Sequence, residues 1–113
     1  MRTITSKVDI ERLFREGTRT SSKVATVLVA PTPEARDQHG RVLFVAGRRI
    51  GGAVTRNRAK RVLREAARRS GAPWPGLDVA LLARPTTPAA APAEIDTALR
   101  VAIAQWERRG GGR

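Results

Sequence analysis

The residues of this 113-residue chain whose types and spacing invite chemistry are cationic. Arg48 and Arg49 precede a Gly51-Gly52 turn, and Arg56, Asn57, Arg58, Lys60, Arg61, Arg64 and Arg68 follow it in close succession. Between Arg41 and Arg69 there are ten Arg or Lys and a single acid, Glu65. At 3.6 residues per turn, Asn57, Lys60, Arg61, Arg64 and Arg68 share one face of a helix, and Thr55, Ala59, Val62, Leu63 and Ala66 share the opposite face. A merely solvated helix face mixes its signs. Here like charges at i,i+3 and i,i+4 repel by a few tenths of a kcal/mol per pair, with Glu65 off the stripe and little to relieve them. The chemistry of such a face is neutralisation of a polyanion, and nucleic acid is the expected partner.

Bond-making chemistry has no comparable signature. The one histidine, His39, sits in the most turn-rich stretch, and the ten acids are scattered, with Asp9, Glu11 and Glu16 in one predicted helix and Asp78 in a predicted strand. None forms a spaced pair for general acid and base work, and cysteine is absent, so neither a thiolate metal site nor a disulfide framework is expected. The expectation is no catalytic residue, no metal ligand and no cofactor bound by the protein alone. Gly51-Gly52 precedes a helix as phosphate-cradling turns do, but the Gly-Lys-Ser/Thr of a nucleotide pocket is missing. Aromatic residues make up only 4%, fewer than in single-strand binders that stack bases. Trp74, between two prolines, and Trp106, on a helical stripe, are expected to pack on the core.

The whole chain frames this pattern. A hydrophobic fraction of 41% excludes intrinsic disorder, and the net charge of +12 is extreme for the length. Nineteen of the 22 cations are Arg, the cation suited to bidentate phosphate contacts. The length predicts one domain, residues 1–113, with 110–113 as a frayed tail. No apolar run is long enough to span a membrane and the N-terminus lacks the apolar stretch of a secretory signal, so a cytoplasmic protein with no membrane association is expected.

The elements that must position the cations follow in chain order. Residues 6–16 predict a helix with Ser6 as N-cap, Asp9 three residues on, and Gly17 as a left-handed C-terminal stop. Residues 18–22 are polar, either loop or the ragged start of a strand. Residues 23–30 predict a strand ending at Pro31, and residues 41–47 a second strand antiparallel to it, with a Pro- and Gly-punctuated loop between. The cationic helix spans residues 53–69. Residues 77–83 are nearly all apolar, as in a strand covered on both faces. Ile95, Leu99, Ala102, Ile103 and Trp106 predict a last helix, with Pro92 near its start and Gly110 at its end.

The segment from Ala53 to Glu65, AVTRNRAKRVLRE, resembles the protein subunit of bacterial ribonuclease P, whose hallmark is Ala-Val-x-Arg-Asn-Arg-x-Lys-Arg-x-(Leu/Ile)-Arg-(Glu/Asp). Every fixed position is matched. Arg48-Arg49 and Gly51 are similar to the basic pair and glycine before that segment. Phe14, Arg15 and Gly17 are similar to its N-terminal Phe-basic-x-Gly, and Gly76, Asp78 and Arg84 to its Gly-x-Asp strand closing on Arg. The resemblance covers residues 8–84, with the last helix matching in placement only.

The resemblance implies an α/β (α+β) two-layer sandwich, a small mostly antiparallel sheet packed against helices in the order αβββαβα. It also implies a left-handed βαβ crossover around the basic helix. It implies an accessory subunit for tRNA 5′ maturation: the RNA subunit performs the hydrolysis with Mg²⁺ at its own active site, and the protein is a monomer in a 1:1 complex with that RNA. Arg48, Arg49, Arg56, Asn57, Arg58, Lys60, Arg61, Arg64 and Arg68 would meet the RNA subunit. Ile10, Phe14 and Val29 would line a cleft for the 5′ leader of precursor tRNA. The cleft departs from the family pattern, since Ile10 stands where Phe is usual and Val29-Ala30 where an aromatic residue is common. A ribosomal-protein-like RNA-binding module explains charge and size but not the register of residues 56–65, and a DNA-binding helix-turn-helix lacks its helix pair.

Overall fold

The computed structural model describes residues 3–4, 6–36 and 38–109. Its elements are α1 (Lys7–Glu16), β1 (Thr18–Ser21), β2 (Ala25–Pro31), β3 (Val42–Val45), α2 (Ala53–Arg69), β4 (Leu77–Ala83) and α3 (Pro92–Arg108), with 3-10 turns at Arg48–Ile50 and Thr87–Ala89. This is the order αβββαβα. The polar stretch after α1 supplies the additional strand, β1. The expected tail at 110–113, and Gly110 as the stop of α3, lie outside the described residues.

The sheet runs β1-β2-β4-β3. β2 is antiparallel to β1 and to β4, and β3 is parallel to β4. β3 therefore runs opposite to the first long strand, as expected, but is not its neighbour, because β4 lies between them. The composition of β4 accounts for this: its residues Leu77 to Leu81 are buried, and a continuous apolar strand is best satisfied at the centre of a sheet.

Strand alternation splits the core in two. Val27, Val29, Val42, Val79 and Leu81 face α2 and α3, where Leu63, Ala66, Ile95 and Leu99 cover them. Leu28, Ala30 and Ala80 face the other way, against Leu13 of α1 and Ile4. The sheet and the α2–α3 pair form the main sandwich, and α1 covers part of the opposite face.

Local chemistry sets the element ends. Ser6 caps α1 by accepting the Asp9 N–H at 3.4 Å. Gly17 is not left-handed: its φ is −66° and ψ 142°. Glycine is required there because a Cβ would stand 2.5 Å from the Leu13 carbonyl oxygen and 3.3 Å from the Leu28 side chain. The start of β2 is delayed to Ala25 because Ser22 Oγ accepts the Val24 and Ala25 N–H groups at 3.3 and 3.1 Å, a turn that competes with strand pairing. Ile4, outside every predicted element, donates its N–H to the Val42 carbonyl at 2.9 Å and is buried.

Asp78, a strand residue that matches the Gly-x-Asp motif, is the polar centre of the fold. It is fully buried. It accepts from Arg12 of α1 at 2.9 Å, from Thr32 at 3.2 Å, from the Arg41 N–H at 3.3 Å and from Arg36. Arg36 also donates to Asp9 at 3.0 Å. Burial opposes the Arg36 charge, but the bonds and charges of Asp78 and then Asp9 outweigh it and raise the guanidinium pKa. A buried carboxylate is tolerated only with such partners.

Candidate nucleic-acid interface

The structural basis of the basic face is the absence of competing acids where a helix is firmly docked on one side. In α2, Ala59, Leu63, Ala66 and Ala67 are buried, with Val62 partly buried against the same core. The opposite side presents Asn57, Arg58, Arg61, Arg64 and Arg68 as exposed residues, while Arg56 and Lys60 are half-buried at its margins. The small alanines let the helix approach the sheet and α3 closely, which fixes the direction in which the arginines project.

Arg48 and Arg49 lie exposed on the 3-10 turn leading into α2. Gly51 follows with φ of +137°, a conformation L side chains rarely adopt, and a Cβ there would also meet Thr55 at 3.2 Å. This glycine sits between the turn that carries the basic pair and the start of α2.

Among the described residues, no ion pair involves Arg48, Arg49, Arg56, Arg58, Lys60, Arg61, Arg64 or Arg68. Arg69 is different. It grips Asp96 of α3 through its Nε and Nη2, at 2.9–3.2 Å. The hydrogen bonds it donates to Asp96, against some desolvation and with the charges of Asp96 and Glu65, raise its pKa. Arg69 thus ties α2 to α3, and the remaining cations stay available.

Two features of this surface were not evident beforehand. The Arg64 guanidinium lies 5.3 Å from the ring centroid of Phe44 in β3, a cation–π contact that restrains it. The β-strand alternation that puts Phe44 on the α2 side was the available signal. Val54 is 84% exposed and flanks a shallow depression with Asn57, Arg58 and Arg61. Its position outside the apolar stripe of α2 could have indicated it.

Of the expected leader-cleft residues, Ile10 and Phe14 lie one turn apart on α1, and Val29 is separated from both. Ile10 is half-buried and Phe14 is 45% exposed on α1, on the sheet face away from α2. Val29 is 1% exposed within the core on the α2–α3 side, so it is a core residue and lines no cleft. The register explains the error: Leu28 and Ala30, on either side of it, are the ones that face α1. The open part of that face instead carries half-buried Leu43, Val45 and Leu82, with exposed Arg19 and Ser21 of β1. Phe14 contributes an exposed aromatic ring to this face.

His39 is exposed in its loop. Trp74 is half-buried against the core, and its indole N–H donates to the Ser70 carbonyl at 3.2 Å. Trp106 is likewise packed against the core. Among the described residues no group of His, Cys, Asp or Glu is placed to hold a metal ion, and no helix is long and apolar enough to cross a membrane.

Residues 1–107 match the family described as Ribonuclease P. The chain is 33% identical over 81 residues to the "Ribonuclease P protein component" of Dehalococcoides mccartyi strain 195, covering 72% of this chain and 64% of the relative. It is 42% identical over 67 residues to the protein of the same description from Symbiobacterium thermophilum, covering 56% and 53%. The chain therefore spans less than two thirds of the length of these relatives. Its fold is shared with the Staphylococcus aureus RNase P protein, at a TM-score of 0.74, 21% identity and coverage of 92% and 94%. The Thermotoga maritima RNase P protein gives a TM-score of 0.70, 23% identity and coverage of 89% and 94%.

Proposed function

Because this chain belongs to the ribonuclease P protein family, we propose that it is the protein component of a ribonuclease P ribonucleoprotein, binding a catalytic RNA and the 5′ leader of precursor tRNA. The observation that carries this proposal is the line of exposed cations on α2, continued by Arg48 and Arg49, with no ion pair among the described residues. Arginine forks on a rigid helix engage phosphate oxygens bidentately with little loss of freedom. Arg48, Arg49, Arg58, Arg61, Arg64 and Arg68 would make those contacts, with Arg56 and Lys60 at the margins and Asn57 adding an amide. The leader would lie on the α1 side of the sheet, against Ile10, Phe14, Leu43 and Leu82.

In this assignment the RNA subunit would perform the hydrolysis of precursor tRNA and would hold Mg²⁺, whose chemistry there would be metal-assisted hydrolysis. The protein neutralises phosphates and orients the substrate. It would act as a monomer, one per RNA.

The test combines the purified protein with a bacterial ribonuclease P RNA and a precursor tRNA at low Mg²⁺. Cleavage giving the mature 5′ end is expected only when both components are present. Accurate 5′ processing by rigorously RNA-free protein, or no gain over RNA alone, would overturn the assignment.

A further inference from the structure

We infer that the cavity between the end of α2 and α3 receives one unpaired guanine of the RNA subunit, stacked on Trp74 and read by Glu107. This rests on the proposed function in taking RNA as the partner, and goes beyond it in assigning a base-reading site away from the basic stripe. The cavity holds about 440 Å³, within the roughly 300–1,000 Å³ of small-molecule sites. Leu99 and Ile103 give it an apolar floor, and its rim is polar.

The aromatic wall is the first reason. Trp74 is packed against the core and also lines the cavity. Its indole N–H already donates to the Ser70 carbonyl at 3.2 Å, so the ring offers the cavity a π surface and no further donor. The turn that carries it is tied on both sides. Ala72 donates its N–H to the Ala67 carbonyl at 3.0 Å, and Leu77 donates to the Trp74 carbonyl at 3.1 Å. Arg69 and Asp96 fix α2 against α3 beside it. A ring held in this way is a platform for a base, since RNA is read where unstacked bases meet aromatic side chains.

The rim selects the base. Asp96, Arg100, Ile103 and Glu107 follow one another at helical spacing along the cavity. Asp96 is engaged by Arg69. Glu107 is exposed, and among the described residues it enters no ion pair. An ionised carboxylate only accepts hydrogen bonds. Guanine presents two adjacent donors on its Watson–Crick edge, N1–H and the N2 amino group, and no other standard base offers that pair. Arg100, exposed and likewise without an ion pair, supplies a cation for a phosphate of the same strand.

Position supplies the partner. Arg68 ends the cationic stripe of α2, and Arg69, next in the chain, lines the cavity. A strand whose phosphates follow the stripe reaches the cavity where the stripe stops.

Glu107→Gln, Trp74→Leu and Arg61→Ala proteins would be titrated with ribonuclease P RNA. Charge alone predicts that Glu107→Gln tightens binding, because it removes an acid from a chain of net charge +12. The guanine site predicts the opposite, a several-fold loss, because the amide keeps one acceptor for two donors. Trp74→Leu should weaken binding by about fivefold or more, the lower end of what stacking a base provides. Should Trp74→Leu fail to fold, Glu107→Gln at its exposed position still decides. In a Trp106→Phe background Trp74 is the remaining tryptophan. Its emission should be quenched more strongly by guanosine 5′-monophosphate than by adenosine 5′-monophosphate, and Glu107→Gln should abolish the difference. Equal quenching by the two nucleotides, or none by either, overturns the site. So does RNA binding by Glu107→Gln that is unchanged or tighter while Arg61→Ala is weakened, and the proposed function then stands. If Arg61→Ala is also unimpaired, both fall.

Discussion

Arg12 in α1 and Asp78 in β4, 66 residues apart in the chain, meet at 2.9 Å with the carboxylate fully buried. The pair fastens α1 to the sheet, and Arg36 joins the same carboxylate from the loop before β3. The surface proposed to receive the leader therefore depends on a buried charge for the placement of one of its walls.

Asp78→Ala should be strongly destabilising, because it leaves Arg12 and Arg36, whose side chains are 16% and 14% exposed, without their shared counter-charge. Breaking a buried pair from one side costs about 3–5 kcal/mol. Arg36→Met should cost less, since Asp78 keeps Arg12, Thr32 and the Arg41 N–H. Chemical denaturation of the two variants checks this ordering. The raised Arg36 pKa means that its contribution is fully present below the ordinary arginine value and is lost only as pH rises past the folded one. Between pH 5 and 9 this group should add no slope to stability.

Arg64 and Leu63 are adjacent in α2 but should fail in opposite ways. Arg64→Ala removes the contact with Phe44, worth about 0.5–1 kcal/mol at an exposed site, and partly regains it through helix propensity and relieved repulsion. It should bind RNA more weakly, with a shallower salt slope. Leu63→Ala, at a residue with no exposure, should cost roughly 2–5 kcal/mol and leave the slope of the folded fraction unchanged. Thermal melts paired with salt titrations separate the two.

On the α1 side, Ile10→Phe should add a ring beside Phe14 and tighten precursor tRNA over mature tRNA, by at most the roughly 1–3 kcal/mol that stacking a base provides. Equal effects on both substrates would remove the leader from this surface. Val29→Ala should lower stability while leaving the ratio of precursor to mature tRNA affinity at the wild-type value, as befits a side chain in the opposite core.

Local pattern sufficed for much of this protein. The bounds of α2, its buried and cationic sides and its family resemblance were all legible in one contiguous segment, because helix periodicity and motif register are properties of neighbouring residues. The Ser6 cap and the apolar stripe of α3 were legible for the same reason. The pairing of β3 with β4, the placement of Val29 in the α2–α3 core, the steric need for Gly17 and the gathering of Arg12, Arg36 and Arg41 on Asp78 were decided only by the tertiary structure. In a strand one residue separates the two faces, so face assignment follows the pairing register. That register is set by partners remote in the chain, as is the neighbour of a buried carboxylate, and no local window contains them.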